Sequence, residues 1–178
     1  MAERMERWFL MRPLALRLQR RLTPQLRKIK NKFMKVLYIL MRTDLPSMNA
    51  GKAMAQASHA SNQFIHHHRR SLSTEGWAEK STGFGTVLVL GATYSELNSI
   101  ITNTQNDQVV SDRVVDTTYP YVVSNEIVSL ISKSKHTFPP VMLENGNSVC
   151  VRREVTCAYI FGEKDDISHY VSNLSLHP

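Results

Sequence analysis

Three predominantly apolar runs constrain the fold of this chain more than any other feature of its sequence. They cover residues 36–41, 86–90 and 155–161, and the first is closed by the polar residues Arg42, Thr43 and Asp44. Unbroken apolar runs of this length are typical of strands that are covered on both faces, because a strand with one wet face alternates apolar and polar residues. We therefore predict an α/β protein, a three-layer α/β/α sandwich around a small mixed, roughly four-stranded β-sheet.

Local signals place the other elements between these strands. Thr93 and Glu96 have the spacing of a capping box, and Asn145-Gly146 is a typical hairpin turn. The predicted elements are, in chain order, a helix at 49–68, a polar loop at 71–84, a helix beginning near 93, a short strand at 113–116, a helix at 122–134, a hairpin at 141–151 and a closing helix at 167–174.

The positive charge of the chain is confined to its first 33 residues. The formal net charge is +7, but residues 1–33 hold ten Lys/Arg and two Glu, whereas residues 34–178 hold twelve basic and thirteen acidic residues, so that +8 and −1 make up the total. We therefore predict a basic arm at 1–33 and one domain at 34–178. Three interpretations of the arm stay open: a targeting or membrane-surface segment, a contact for nucleic-acid phosphates, or an upstream extension with the working start at Met34.

The cysteines and the hydropathy indicate the compartment. Cys150 and Cys157 lack metal-ligand spacing, and two cysteines in strand-like surroundings are typical of core thiols in a reduced, intracellular protein. No apolar run of about 18 residues occurs, so no membrane-spanning segment is predicted. The expected location is the cytoplasm, or the mitochondrion if the arm is translated as a targeting segment.

The stretch "MNAGKAMAQASHA" at 48–60 carries the candidate chemistry. Helical spacing places Lys52, Gln56 and His59 on one stripe, among alanines small enough to let the helix lie close to a sheet. A lysine in a first helical turn opposes the helix dipole, at a cost of a few tenths to about 1 kcal/mol, and anion binding beside the exposed N–H groups would offset it. From spacing alone, a solvated polar face on an alanine-rich helix is the favoured interpretation.

The sequence around this stripe resembles the type-II peptidyl-tRNA hydrolases. Their pattern R-x-D-L-x-M-x-x-G-K-x-A-A-Q-x-x-H-A is similar to "RTDLPSMNAGKAMAQASHA" at 42–60, with one extra residue before the methionine. The matching residues are Arg42, Asp44, Leu45, Met48, Gly51, Lys52, Ala55, Gln56, His59 and Ala60. The strand that ends at Asp116 resembles the family strand that leads into the motif D-A-G-x-T. The segment "VTCAYIF" at 155–161 resembles the family's terminal strand, which begins V-T-C.

The resemblance implies hydrolysis of the ester that joins a peptide to the terminal ribose of tRNA, without a metal or organic cofactor. It also implies tRNA as partner and is consistent with a homodimer. Lys52 would donate to the oxyanion or to a terminal phosphate, and Asp116 would orient water or act as base. Gln56 and His59 would position substrate and water, and Thr156 would add a hydroxyl at the strand edge. The catalytic residues expected on this basis are Lys52, Gln56, His59, Asp116 and Thr156. Those expected to bind substrate are Arg42, Asp44, Asn49, Gly51, Thr117 and Thr118.

One segment departs from the family pattern. Asp116 is followed by Thr117, Thr118, Tyr119 and Pro120, so a proline stands where the family has a threonine, and residues 121–154 form a longer connection than the family has. A catalytically inactive module of the same fold, recognising tRNA or a protein partner, is therefore an alternative. Hydrolysis or transfer on another acylated substrate is a further one.

Overall fold

Five β-strands and four α-helices occur in the part of the chain that this computed structural model describes, which comprises residues 34–45, 47–80, 85–124, 128 and 140–178. The predicted basic arm at 1–33 lies outside these residues. The elements are β1 (Lys35–Arg42), α1 (Ala50–His68), α2 (Leu72–Lys80), β2 (Val87–Ala92), α3 (Tyr94–Asn106), β3 (Val110–Ser124), β4 (Val141–Met142), β5 (Asn147–Glu163) and α4 (Lys164–Ile167), followed by a 3₁₀ turn at Ser168–Val171.

The strands form one mixed sheet in the order β2-β1-β5-β3. β1 pairs parallel with β2, with Ile39 opposite Val89, and antiparallel with β5, with Ile39 opposite Tyr159. β3 lies antiparallel to the other side of β5, and the short β4 also pairs with β5. The structure thus confirms the predicted α/β fold and its small mixed sheet.

The two faces of β1 explain the three layers. Successive side chains of a strand point to opposite faces, and β1 is buried on both, as the unbroken apolar run predicted. Leu37, Ile39 and Met41 pack with Phe64 of α1 and Trp77 of α2. The alternate residues pack with α3 and α4 on the other side, and this second cluster includes Val36, Tyr38, Leu40, Leu97, Ile101 and Ile167. The sheet therefore lies between two helical layers.

Helix α1 begins as its sequence predicts and buries an unusual stripe. The side chain of Asn49 accepts a hydrogen bond of 3.0 Å from the backbone N–H of Lys52, which caps the helix. Its buried residues are Ala53, Gln56, Ala60 and Phe64. Two alanines on this stripe leave little bulk between helix and sheet, so the polar Gln56 is brought directly against the strands.

Several predicted boundaries were wrong. Residues 72–80 of the expected polar loop form α2 instead, and the short strand expected at 113–116 is part of the 15-residue β3. The helix expected at 122–134 is contradicted at 122–124, which belong to β3, and of its remainder only residue 128, which is helical, lies within the described residues. The closing helix lies earlier than the predicted 167–174, with α4 and the 3₁₀ turn together covering 164–171.

Two predicted turns and caps were confirmed. Thr93 and Glu96 form the capping box at the start of α3, and β4 and β5 form the hairpin, with Gly146 at a φ of +76° in the connecting turn. The outer parts of β3 and β5, residues 119–124 and 147–152, pair with each other beyond the end of the β1–β5 ladder, which stops at Met41 and Cys157. We call this pair the strand extension; ten of its residues belong to the 121–154 segment, whose nature as an insertion stays a prediction.

Candidate active site

Gln56 links helix α1 to two strands that are distant in sequence. It is only 4% exposed, and its Nε2 donates a hydrogen bond of 2.7 Å to Oδ2 of Asp116 on β3. Thr156 of β5, which is fully buried, donates a hydrogen bond of 2.6 Å from Oγ1 to Oε1 of the same glutamine. Since an ionised carboxylate only accepts hydrogen bonds, the nitrogen of the Gln56 amide must face Asp116. The buried amide thus has one orientation that satisfies both neighbours.

His59 adds a third contact to this amide from the next turn of the helix. Its Nδ1 lies 3.3 Å from Oε1 of Gln56, and the ring is exposed. Because that oxygen is an acceptor, the hydrogen bond requires the proton on Nδ1 of His59. In the neutral imidazole, Nε2 is then an acceptor. The arrangement leaves His59 able to accept a proton or orient a water molecule.

A bulge in β3 determines the position of Asp116. The register runs from Asp116 opposite Glu154 to Tyr119 opposite Arg152, so β3 contains one more residue than β5 over this interval. Thr118, in the bulge, donates hydrogen bonds to Oδ1 of Asp116 from its backbone N–H at 2.9 Å and from its hydroxyl at 3.3 Å. Both carboxylate oxygens are therefore held, Oδ2 by the helix and Oδ1 by the bulge, while the side chain stays partly exposed.

Lys52 lies one turn before Gln56 and contacts β3 just after the bulge. Its Nζ donates a hydrogen bond of 2.9 Å to the backbone carbonyl of Pro120 and lies 5.2 Å from the centroid of the Tyr119 ring. The hydroxyl of Ser47 lies 3.2 Å from the same carbonyl oxygen. An ammonium group has three donors, so the contact with Pro120 leaves two for a ligand.

The first turn of α1 supplies further donors beside Lys52. Asn49 and Gly51 are exposed there, and the helix N-terminus presents backbone N–H groups of which only some have intrahelical partners. The cationic side chain and the positive end of the helix dipole favour the same kind of ligand. This corner of the molecule is suited to an anion or to an oxygen that becomes negative during a reaction.

Arg42 is part of an ion-pair chain behind the site. It is buried, and its guanidinium donates to Asp44 at 2.8 Å, to Glu154 at 2.6 Å and to the carbonyl of Val155 at 3.1 Å. The hydrogen bond from Arg42, together with its charge, keeps the pKa of Asp44 below its ordinary value despite partial burial. Glu154 also pairs with Arg152 at 2.6 Å. These contacts fix the end of β1 against β5, next to Thr156.

The structure brings most of the predicted site residues together. Gln56 contacts three of the other four predicted catalytic residues directly, and Lys52 lies on the same helix one turn earlier. Thr118 supports Asp116, while Thr117 is exposed in the bulge. Arg42 and Asp44 are engaged mainly with each other and with β5, so that substrate binding by these two stays a prediction.

Three contributors were missed by the sequence reasoning: Ser47, the Pro120 carbonyl and Glu154. A backbone carbonyl leaves no signature in the side-chain pattern. Glu154 meets Arg42 across 112 residues, and the sequence alone offers no spacing from which that pair could be found.

The described residues contain no group of three or more His, Cys, Asp or Glu arranged to hold a metal ion, and their helices lack the combination of length and hydrophobicity that a membrane span needs. Cys150 and Cys157 are both buried, as predicted. Burial raises the pKa of Cys157 to about 12, so its thiol is protonated at neutral pH and is not a nucleophile.

Comparison with known proteins gives one family. The family model described as "Peptidyl-tRNA hydrolase PTH2" matches residues 35–177. No curated protein matches the sequence. Among solved structures, a protein of unknown function, Atu0240, from Agrobacterium tumefaciens C58 is similar at a TM-score of 0.46 and 7% identity, over 81% of this chain and 98% of that one. A similarity this low supports no conclusion about the present chain.

Proposed function

The chain belongs to the peptidyl-tRNA hydrolase PTH2 family, and we propose that it hydrolyses the ester bond of peptidyl-tRNA, releasing the peptide and free tRNA. The observation that carries this proposal is the buried amide of Gln56, which holds Asp116 at 2.7 Å and is itself held by Thr156 at 2.6 Å. A carboxylate fixed on both oxygens, and bonded to an amide one helical turn from Lys52, provides a proton acceptor and an electrophilic group in one small region.

The proposed reaction has two steps. In the first, water attacks the ester carbonyl carbon while its proton passes to the carboxylate of Asp116, forming a tetrahedral oxyanion. In the second, the bond between that carbon and the ribose oxygen breaks, and the ribose oxygen takes the proton. The net change is one ester and one water converted to a carboxylic acid and a ribose hydroxyl. This balance involves no oxidation or reduction.

Each side chain has a role that follows from its contacts. Lys52 has two free donor positions and would stabilise the developing oxyanion. His59, with Nε2 as acceptor, would orient the attacking water together with Asp116. Thr156 is fully buried and contacts Gln56 rather than the solvent side, so it acts as a positioning residue.

The tRNA end is proposed to bind along the start of α1. A terminal phosphate would accept hydrogen bonds at the helix N-terminus near Asn49 and Gly51, where the dipole favours an anion. Thr117 and Thr118 are exposed beside Asp116 and would offer hydroxyls to the terminal ribose. Arg42 and Asp44 would support this region indirectly, since they fix the end of β1.

The test is a cleavage assay with the full chain on purified N-acetylaminoacyl-tRNA. We expect wild type to release free tRNA and Asp116→Asn to lose at least about 10²-fold in turnover, the typical contribution of a positioned acid or base. Asn keeps the shape of the side chain but replaces one accepting oxygen with an NH₂ group that faces Gln56 Nε2 or the Thr118 N–H, so the free energy of unfolding should fall by about 1–3 kcal/mol and turnover is compared per folded protein. Wild-type turnover no faster than spontaneous ester hydrolysis would overturn the proposal.

One observation favours the alternative of an inactive tRNA-binding module. The ammonium of Lys52 is already engaged by the Pro120 carbonyl, and this proline stands at the position of the family's threonine. If that contact persists when tRNA binds, Lys52 would hold the strand extension rather than an oxyanion. Tight tRNA binding by a protein that leaves the ester intact would support this alternative.

A further inference from the structure

A cleft of about 600 Å³ opens beside Lys52, and its walls come from two separate parts of the chain. One wall comes from Leu45, residues 47–49 and Lys52 in the first turn of α1. The other is the strand extension, which contributes Tyr121, Val123 and Arg152. The volume lies within the range of small-ligand pockets. Its second wall exists only because β3 and β5 continue past the bulge.

The lining combines apolar surface with positive charge. Met48 and Val123 are partly buried and present hydrocarbon, while Lys52 and Arg152 present cations. Among the described residues that line the cleft there is no Asp or Glu. A cationic group entering this space would meet two like charges and no carboxylate on the wall.

Arg152 is held in place rather than left mobile. Its guanidinium lies 4.9 Å from the centroid of the Tyr121 ring and pairs with Glu154 at 2.6 Å. The side chain is nevertheless 45% exposed, so it can still face a ligand. Arg153, the next residue, is exposed and is not part of the lining. Because successive strand residues point to opposite faces, these two arginines offer a matched comparison.

We propose that this cleft binds the acyl residue of the substrate ester and selects against a basic side chain there; this rests on the proposed function. Lys52 belongs both to the oxyanion-stabilising group and to the cleft wall, so a carbonyl oxygen at Lys52 places a substituent of that carbonyl in the cleft. Met48, Val122 and Val123 suit the hydrocarbon side chain of an acyl group, whereas Asn49, which also lines the cleft, is on the side proposed above for the terminal phosphate. Apolar and acidic acyl residues should therefore be accepted, and lysyl or arginyl residues disfavoured.

The test compares N-acetylleucyl, N-acetylglutamyl and N-acetyllysyl esters on one tRNA body, with the full chain. We expect kcat/KM for the leucyl and glutamyl esters to exceed that for the lysyl ester by roughly 10-fold, the discrimination that a modest pocket provides. In Arg152→Glu the leucyl-to-lysyl ratio should fall by several-fold, and Arg152→Gln should lie between. Arg153→Glu, a charge reversal of the same size on the other face, should keep the wild-type ratio.

The readout is a ratio within each variant, so a loss of folded protein does not change it. Equal rates for all three esters in wild type would overturn the acyl subsite while leaving the hydrolase proposal intact. Equal shifts in Arg152→Glu and Arg153→Glu would show a general charge effect and would also overturn it. Cleavage of none of the esters would instead contradict the proposed function, and the subsite with it.

Discussion

Gln56 of α1 donates a hydrogen bond of 2.7 Å to Asp116 of β3, although 60 residues separate them in the chain. Gln56 lies on the stripe by which α1 packs against the sheet, between Ala53 and Ala60. The position of the carboxylate thus depends on how the helix packs, and small residues at the contact are what allow the amide to reach the strand. Helix packing and site geometry are here the same structural feature.

The first prediction is that Gln56 and Thr156 are energetically coupled. Gln56→Leu would leave the fully buried hydroxyl of Thr156 with only the weak sulfur acceptor of Cys157 at 3.9 Å and should lower the free energy of unfolding by about 1–3 kcal/mol. Thr156→Val removes the donor and should cost about 0.5–1.5 kcal/mol. The double variant should be less destabilised than the sum of the two, by about 0.5–3 kcal/mol. Urea unfolding of the four proteins measures this.

The same four proteins also test the site. Gln56→Leu releases Asp116 from the helix, so turnover of peptidyl-tRNA should fall by about 10-fold or more, in line with the sensitivity of catalysis to small misplacements. Thr156→Val should reduce turnover less, because His59 still contacts the Gln56 amide. Strict additivity of the unfolding free energies, within about 0.3 kcal/mol, would show that the two side chains do not act as one unit.

The elements that the sequence predicted correctly are those whose signal is local. Each of these signals lies within a few residues and determines its own geometry: the apolar run of β1, the capping box at Thr93 and the Asn145-Gly146 turn. Helix α2 was missed because it is mostly polar, with Trp77 and Thr74 as its buried residues, and its position is set by tertiary packing. The pairing of Val122 with Val149 could not be predicted from the local sequence either, because the apolar spacing at 122–134 also fits a helix.

The candidate site was predictable only on the helix. Spacing placed Lys52, Gln56 and His59 on one stripe, but the partners of Gln56 lie 60 and 100 residues away. Nothing in the sequence pattern links such distant positions, and the resemblance to a family supplied that step. The bulge that positions Asp116 is a register shift between β3 and β5, and no residue type in the sequence marks where it occurs.

The second prediction concerns the charge of Lys52. Lys52→Met should reduce kcat/KM for peptidyl-tRNA by about 10²–10³-fold, the typical effect of removing one oxyanion donor. The free energy of unfolding should stay nearly unchanged, because a cation in the first helical turn is mildly unfavourable and offsets the lost bond to Pro120.

Lys164→Met is the matched control for Lys52→Met. Lys164 is also partly buried, but it follows Glu163, which pairs with Lys35 at the opposite end of β1 from Arg42. Its substitution should leave kcat/KM within about twofold of wild type, as expected for a side chain outside the site. A loss of equal size in both variants would remove the oxyanion role from Lys52.

The third prediction is a pH dependence of stability that arises from Asp44. The hydrogen bond from Arg42 lowers the pKa of Asp44, so the folded protein gains stability above the ordinary pKa of about 4 and loses it as the pH falls through the lowered value. The side chain is 36% exposed, and solvent screening limits the gain to about 0.5–1 kcal/mol. Asp44→Asn should therefore be less stable than wild type at pH 7, and this deficit should be smaller at pH 2–3.

Urea unfolding at both pH values checks this, with Asp165→Asn as control. Asp165 is exposed in the first turn of α4, so its substitution should shift the free energy of unfolding by less than about 0.5 kcal/mol at pH 7. A deficit for Asp44→Asn that is as large at pH 2–3 as at pH 7 would mean that the stability comes from shape or backbone contacts and not from the ionised pair.

The fourth prediction tests the layer that carries α1. Phe64 is fully buried, and its ring lies 5.6 Å from that of Trp77 in an edge-on contact and 4.7 Å from that of Phe161. Phe64→Ala should lower the free energy of unfolding by about 3–5 kcal/mol, because the contacts of a buried ring are lost and a cavity remains. Met54→Ala on the same helix, where the side chain is 70% exposed, should cost no more than about 0.5 kcal/mol. Since Phe64 and Gln56 share the buried stripe of α1, a small loss in Phe64→Ala would imply that this face of the helix is not packed on the sheet, and the hydrogen bond to Asp116 would lose its structural basis.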